Sequence, residues 1–325
     1  MATTNLIKTS TACANINIAL LKYWGKKEEK LNIPYQSSIS LTLDGLYTTS
    51  TLTLDPLLTE DVLFINGKRV SEKEQIKIRR YLNLVREMYH RFGFIKVDSY
   101  NHVPTGAGLA SSASSYASIA LALNNIYNLK LDQKGLSSLA RLGSGSASRS
   151  IYGGFRVWHH GEDHTSSFAE QLSSKWDELV FIVVILSREK KLVSSREAMK
   201  LSLETPAYQN FIATSNSLYP KMLEAIKKQD LMRLGPLVET SSELLHSTIR
   251  ASGIDYYLKE TYEFLDYVKE LKKRFPLFYT LDAGPNVKIL TSRQYLDDIM
   301  PFFKQYEIVI AGAGGEAYVQ TESTR

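Results

Sequence analysis

The sequence predicts an α+β protein of two lobes, with antiparallel pairing and not a doubly wound parallel sheet. Three observations carry this. The first half interleaves alternating apolar segments with amphipathic ones. The second half is a block of helical periodicities followed by short strands. The 325 residues, 44% of them hydrophobic, are enough for a large core and two lobes, divided here into residues 1–189 and 190–325.

Along the chain, Ile39, Leu41 and Leu43 alternate with Ser40 and Thr42, the pattern of a half-buried strand. Leu52 and Leu54 predict a second strand. Residues 62–65 and 68–70 flank Asn66-Gly67, a hairpin signal. Ser71 and Glu74 form a capping box. The helix behind them shows Ile78, Leu82, Val85, Tyr89 and Phe92 on one face and stops at Gly93. A strand over 94–100 leads to a glycine–serine loop, then a helix; another helix over 133–142 ends at Gly143. Residues 179–186 have the length and β-branching of a buried central strand. Helices follow over 208–229, 231–246 and 260–274, with strands near 278–281, 287–290 and 308–310.

Composition narrows the function. The net charge is +5, and the Lys and Arg residues are spread out, without the dense basic stripe of a nucleic-acid protein. Anionic small substrates account for it. Cys13 is the only cysteine, so no intrachain disulfide forms, which is compatible with the cytosol. The apolar stretch 12–21 is interrupted by Asn15 and Asn17 and lacks the flanks of a signal peptide. No apolar run is long enough to span a bilayer.

Residues 104–114 read Pro-Thr-Gly-Ala-Gly-Leu-Ala-Ser-Ser-Ala-Ser and open an apolar helix. A helix N-terminus carries unpaired N–H groups and partial positive charge, which suits phosphate. Gly106 and Gly108 let the backbone approach an anion, and Ser111, Ser112 and Ser114 add hydroxyls. The loop lacks the endings of a Walker A or Gly-x-Gly-x-x-Gly motif. Simple capping of a core helix explains it as well.

Four further segments are too polar for their surroundings. Residues 17–26, Asn-Ile-Ala-Leu-Leu-Lys-Tyr-Trp-Gly-Lys, place Lys22, Tyr23 and Lys26 beside apolar residues. They suit phosphate neutralisation, or a strand end with solvated lysines. Residues 143–150, Gly-Ser-Gly-Ser-Ala-Ser-Arg-Ser, bring hydroxyls to Arg149, whose fork suits a carboxylate; a flexible surface turn is the alternative. Residues 190–196, Lys-Lys-Leu-Val-Ser-Ser-Arg, repeat hydroxyls beside cations, or form a basic connector. Residues 280–288, Thr-Leu-Asp-Ala-Gly-Pro-Asn-Val-Lys, put Asp282 at a strand end, where a catalytic carboxylate and a plain turn fit equally. His159, His160 and His164 read as a polar hairpin loop and not a metal cluster, and His246 as a satisfied core histidine.

Together these segments resemble the GHMP kinase superfamily and, within it, the diphosphomevalonate decarboxylase family, over nearly the whole chain. The loop 104–114 alone resembles the superfamily. The Lys-Tyr-Trp-Gly-Lys, Gly-Ser-Ala-Ser-Arg-Ser and Asp-Ala-Gly-Pro-Asn elements, with residues 38–44 and 193–196, occur in the family's order. Two stretches depart: Tyr35-Gln36 precedes Ser37 where many relatives carry asparagine, and the tail 312–325 matches nothing usable.

The resemblance implies a two-lobed GHMP kinase fold with a ribosomal-S5-like N-terminal and a ferredoxin-like C-terminal lobe. It implies a cytoplasmic homodimer serving the mevalonate pathway of isoprenoid biosynthesis. The implied substrate is mevalonate 5-diphosphate, with ATP and Mg²⁺. Asp282 is the implied base, Lys22 the charge stabiliser, and Arg149 the carboxylate holder with Ser144 nearby. Tyr23, Lys26, Ser146, Ser195 and Arg196 would bind the diphosphate. Gly106, Gly108, Leu109, Ala110, Ser111 and Ser112 would contact ATP phosphates, Ser111 also Mg²⁺, with Ser99 near the nucleotide. Lys191, or its neighbour Lys190, would reach the γ-phosphate. A decarboxylase of mevalonate 5-phosphate and a kinase that stops at phosphorylation remain as rivals.

Overall fold

Two long strands, β1 (Lys8–Leu21) and, after the short ribbon β2 (Lys26–Glu28) and β3 (Ile33–Pro34), β4 (Ser38–Leu54), pair antiparallel and form the spine of the first lobe. The computed structural model describes residues 7–103, 111–172, 175–189 and 191–320. β1 has register shifts at Asn15/Asn17 and Ala19/Leu21. The first exchanges its faces: Ala12 and Ala14 pack into one core, Ile16, Ile18 and Leu20 into another. Bulges commonly re-aim side chains beside a site, and Asn17 and Lys22 are the ones turned here.

The two strands expected at 39–43 and 52–54 are one. Its first part is not half-buried either: residues 38–43 are all buried. Ile39, Leu41 and Leu43 pack into the core shared with the second lobe. The polar face is covered too, and Ser38 and Thr42 find partners within the protein, while the Ser40 hydroxyl has none among the described residues. Thr42 Oγ1 donates to Tyr152 O at 3.0 Å.

β5 (Val62–Ile65) and β6 (Lys68–Arg69) close over Asn66-Gly67 as expected. α1 (Glu72–Tyr89) starts at the expected box, the Glu74 carboxylate accepting from the Ser71 hydroxyl at 2.9 Å and its N–H at 3.3 Å. It ends at His90, which is left-handed, so Phe92 falls beyond the helix and is exposed. Ile78, Leu82 and Val85 make the buried face. Because α1 carries the chain back across the sheet, β7 (Ile95–His102) runs parallel to β5, the one parallel pair among the described strands of a sheet otherwise antiparallel as expected. On its other side β7 pairs antiparallel with residues 47–54 of β4.

α2 (Ser111–Ile126), α3 (Gln133–Gly143) and α1 cover this sheet. A 3-10 turn over Gly145–Ser150 leads to β8 (Phe155–Trp158), which pairs with residues 38–41 of β4, and β9 (Ala169–Gln171). The expected histidine loop joins these two strands.

The second lobe holds β10 (Leu179–Ile185), buried at every residue, α4 (Ser195–Leu203), α5 (Pro206–Lys227), α6 (Leu231–Ala251) and α7 (Lys259–Leu271). Then come β11 (Phe278–Thr280), β12 (Val287–Ser292) and β13 (Glu307–Ala311), in an antiparallel sheet ordered β11-β12-β10-β13. The 189/190 division lies after β10, whose ladder partners β12 and β13 both belong to the second half. Finally β14 (Tyr318–Val319) returns to pair with β1. The seam between the lobes is apolar: Ile16, Leu20 and Leu41 share a core with Phe181, Met222 and Val238. A cleft at that seam therefore has well-packed walls.

Candidate active site

One cleft of about 1020 Å³ opens between the lobes. Eight Lys and Arg side chains line it against four carboxylates, Glu28, Glu29, Glu87 and Asp282. That surplus favours an anionic ligand.

Asp282 sits just past β11, where the chain leaves the sheet. Lys22 Nζ donates to its Oδ1 at 2.8 Å, and Lys288 Nζ stands 3.4 Å from Oδ2. Lys22 is fixed through its backbone: its N–H donates to Ser241 Oγ at 2.9 Å and its carbonyl accepts from Gln36 Nε2 at 3.3 Å. The Lys22 side chain is 2% exposed and that of Asp282 26%, so the carboxylate is the member presented to the cleft. Burial alone would raise the Asp282 carboxyl, but the Lys22 and Lys288 charges outweigh it and hold it well below its ordinary value. Burial lowers Lys22, against the pull of Asp282.

Arg149 enters from the 3-10 turn, which is a buried segment and not a solvated loop. Its Nη1 donates to Ser38 Oγ at 2.6 Å, its Nε to Asn17 Oδ1 at 3.3 Å, and its guanidinium lies 5.6 Å over the Trp158 ring. Among the described residues no carboxylate forms an ion pair with it. Burial brings its pKa down to about 10. Asn17 also donates to Ser146 O and Ser150 Oγ, tying β1 to the turn. Gly143 must be glycine here, because a Cβ would fall 1.9 Å from Tyr116 Cδ1.

Tyr23 packs edge-on to Trp158 at 4.7 Å, and its buried hydroxyl has no partner among the described residues. Burial raises its pKa, so it stays a neutral donor. Gly25 takes a φ of +83°, and a Cβ there would strike the Tyr208 hydroxyl at 2.0 Å. That hydroxyl donates to Trp24 O at 2.9 Å and holds the turn. Lys26 follows, pushed down to about 8 by burial and the nearby Arg196. The Ser144 and Ser146 hydroxyls are 3.3 Å apart.

Lys22, Tyr23, Lys26, Ser112, Ser144, Ser146, Arg149, Ser195, Arg196 and Asp282 all line this cleft. Lys191 touches its rim, donating to Ser195 Oγ at 2.6 Å and Ala283 O at 3.1 Å. Ser99 is placed elsewhere: it is buried on β7, 2.8 Å from Ser50 Oγ, among hydroxyls that tie the sheet to α2. Gly106, Gly108, Leu109, Ala110 and Lys190 lie outside the described residues, as does the Ser111 side chain. His246 is buried as expected but not satisfied: its Nε2 has no partner among the described residues. Burial and the nearby Lys22 bring it down to about 3. Sequence reasoning gave no role to Asn17, Ser38 or Lys288. Each is a polar residue in an apolar strand, and burial of such a group demands a partner; that was the available signal.

Residues 14–169 match the family model of the diphosphomevalonate decarboxylase-like N-terminal domain, and residues 181–323 that of the mevalonate 5-diphosphate decarboxylase C-terminal domain. The chain belongs to the diphosphomevalonate decarboxylase family. The human diphosphomevalonate decarboxylase is 35% identical over 93% of this chain and 80% of its own. The solved mevalonate diphosphate decarboxylase of Staphylococcus aureus is 38% identical, covering 97% of this chain and 99% of that one, with a TM-score of 0.93. The Enterococcus faecalis enzyme is 38% identical over the same shares, with a TM-score of 0.92. A protein designated MDDEF, solved in complex with MVAPP, AMPPCP and magnesium, is 39% identical with a TM-score of 0.93, covering 97% of this chain and 99% of that one. The two-lobed mixed fold is thus the family's.

Proposed function

We propose that the protein decarboxylates mevalonate 5-diphosphate in an ATP-dependent reaction that yields isopentenyl diphosphate, ADP, phosphate and CO₂. The observation that carries this is one cleft holding an ionised Asp282 on Lys22 beside a buried Arg149 that has no carboxylate partner among the described residues. The substrate brings a hydroxyl, a carboxylate and a diphosphate, and each has a counterpart there.

The residues fit the nucleotide and its ion. The N-terminal turn of α2 reaches the cleft through Ser112, and Lys77 and Arg80 of α1 line the same cleft. Among the described residues no group of three acidic, His or Cys side chains could hold a metal. That suits Mg²⁺ carried on phosphate oxygens, which takes few protein ligands. Bound MgATP supplies the phosphoryl group that makes the 3-hydroxyl a leaving group. Asp282 takes the proton of that hydroxyl as the oxygen is phosphorylated. Lys22 stabilises the charge that gathers on the reacting oxygen. Arg149 holds the carboxylate, with Ser144 nearby. Tyr23, Lys26, Ser146, Ser195 and Arg196 hold the diphosphate, and Lys191 reaches towards the transferred phosphate. When the C3–O bond breaks, the phosphate leaves with the electron pair. The electrons of the C–C bond to the carboxyl then close the double bond, and CO₂ departs. Holding both anions in place aligns the C–C bond with the departing phosphate and favours elimination over hydrolysis.

The first lobe, 1–189 in the sequence division, carries the nucleotide-facing wall, and 190–325 carries Asp282. The pairing of β10 with β12 and β13 supports a division that falls before β10 rather than after it. The protein works in the cytoplasm as a homodimer, a reading supported by the family resemblance and by the single cysteine; sedimentation tests the assembly. The chemistry is tested by incubation with MgATP and each of mevalonate, its 5-phosphate and its 5-diphosphate, with ADP, phosphate and CO₂ measured together. ADP without CO₂ identifies a kinase. A kcat/KM for the monophosphate equal to or above that for the diphosphate identifies the monophosphate decarboxylase.

A further inference from the structure

Asp282 is held by two lysines that reach it from different lobes. Lys22 comes from the end of β1 in the first lobe and lines the cleft. Lys288 comes from β12, in the same sheet as the strand that delivers Asp282. Lys288 pairs across the ladders with Thr280 on β11 and Val183 on β10, so its backbone is locked on both sides. Its side chain is 1% exposed and it is absent from the cleft lining. Its ammonium stands 3.4 Å from Asp282 Oδ2 and donates to Asn286 O at 3.2 Å. Each carboxylate oxygen therefore has its own lysine, and only Lys22 also faces the substrate.

We propose that Lys288 is the positioning residue of the reaction: it keeps Asp282 ionised and aimed at the substrate hydroxyl while Lys22 turns its charge to the reacting groups. The proposal rests on the reading of Asp282 as the base. The physical need is plain. A carboxylate in this setting loses its charge if it relies on one lysine and that lysine is drawn to a phosphorylated substrate. A second cation, buried on its own sheet and out of the substrate's reach, prevents this. The other groups around Asp282 cannot replace it. Arg149 on the 3-10 turn binds Ser38 and Asn17, Lys191 before α4 binds Ser195 and Ala283 O, and His246 on α6 stays neutral because burial and Lys22 depress it to about 3.

Lys288→Met keeps the stem and removes the charge. The expected result is a loss of at least about tenfold in kcat at neutral pH, KM for mevalonate 5-diphosphate within about twofold, and an acidic limb of the kcat profile moved upward by about one pH unit or more. Lys288→Arg keeps the charge and should return the limb towards wild type. A folded Lys288→Met enzyme with wild-type kcat and limb overturns the proposal. Asp282→Asn run alongside separates the two readings. If it retains activity, the base assignment falls; if it is inactive while Lys288→Met is normal, only the positioning role falls. Should Lys288→Met fail to fold, the Lys22→Met protein decides, through ¹³C NMR of the Asp282 carboxyl assigned by its loss in Asp282→Asn. The carboxyl is expected to be ionised at pH ~5.5, held by Lys288 alone; a protonated carboxyl there overturns the proposal.

Discussion

Arg149 is costly to the fold, and that cost allows its functional and structural roles to be separated. Burial takes its guanidinium from 12.5 to about 10, which at 1.36 kcal/mol per pH unit is a penalty of about 3 kcal/mol for carrying the charge in the folded state. Against this stand its bonds to Ser38 and Asn17, whose loss would leave two buried acceptors short of a donor, at about 1–3 kcal/mol each. Asn17 keeps its Nδ2 bonds to Ser146 and Ser150, which hold the amide in place but do not replace the donor its Oδ1 loses. Arg149→Met removes both the penalty and the bonds, so its unfolding free energy should lie within about 3 kcal/mol of wild type. Catalysis has no such compensation. Losing a positioned charged donor should lower kcat/KM for CO₂ release by roughly 10²–10³, or about 2.7–4 kcal/mol. The assay pairs urea unfolding with CO₂ release, and compares how much mevalonate 5-diphosphate raises Tm in each protein. Near-normal CO₂ release from folded Arg149→Met would refute the carboxylate role. So would destabilisation above about 5 kcal/mol that accounts for the lost activity, since the charge would then be structural.

Asp282→Asn should lower kcat by about 10² or more with ATP affinity little changed; wild-type turnover would return Asp282 to a turn-forming role. Lys26, free at about pH 8, should put a basic limb near that pH on kcat/KM for the diphosphate, because the cation is lost above it. Lys26→Arg stays charged and should remove that limb; an unchanged limb would assign it to another group. Gly143→Ala drives a methyl into Tyr116, so it should cost about 1–3 kcal/mol by chemical unfolding and reduce activity as the cleft wall shifts. His246, lowered from 6.5 to about 3 in the fold, binds its proton more weakly there than in the unfolded chain. Its contribution is therefore present above about pH 6.5 and fades as pH falls, by about 2 kcal/mol at pH 5. His246→Phe should flatten that stretch of the stability curve, leaving the similar dependence of His164, itself lowered to about 4. An unaltered slope would place the pH dependence elsewhere.

What was legible in the sequence had local causes. The Asn66-Gly67 turn, the start of α1 at Ser71 and the buried run of β10 each depend on neighbours within a few residues, and each formed as expected. The cleft residues were legible because glycines, hydroxyls and cations stood together in short motifs. What remained hidden depends on partners distant in sequence. β4 reads as two half-buried strands because nothing local reveals that its polar face is also covered. Phe92 keeps the period of α1 although the helix has already ended at His90. Ser99 belongs to a buried hydroxyl set with Ser50, a relation set by the β4–β7 register. Lys288 looks like an ordinary strand lysine until the ladder sets it against Thr280, just before Asp282.

The same distinction explains why neither lobe can supply the site alone. Lys22 and Arg149 belong to the first sheet and its turn; Asp282 and Lys288 belong to the second. The Lys22–Asp282 contact crosses the seam, and so does the bond from the Lys22 N–H to Ser241 on α6. Such contacts hold a productive distance only if the two sheets cannot slide, because a misplacement of about 1 Å costs as much as 10² in rate. The hydrophobic core between Ile16, Leu20 and Leu41 on one side and Phe181, Met222 and Val238 on the other meets that need. It follows that a cavity made in this seam should damage catalysis beyond its effect on stability. Met222, fully buried on α5 and away from the cleft lining, is the place to test this. Met222→Ala should cost about 2–5 kcal/mol, and kcat should fall even where the protein is fully folded. A folded Met222→Ala enzyme with wild-type kcat would show that the alignment of Lys22 on Asp282 does not depend on the packing beneath it.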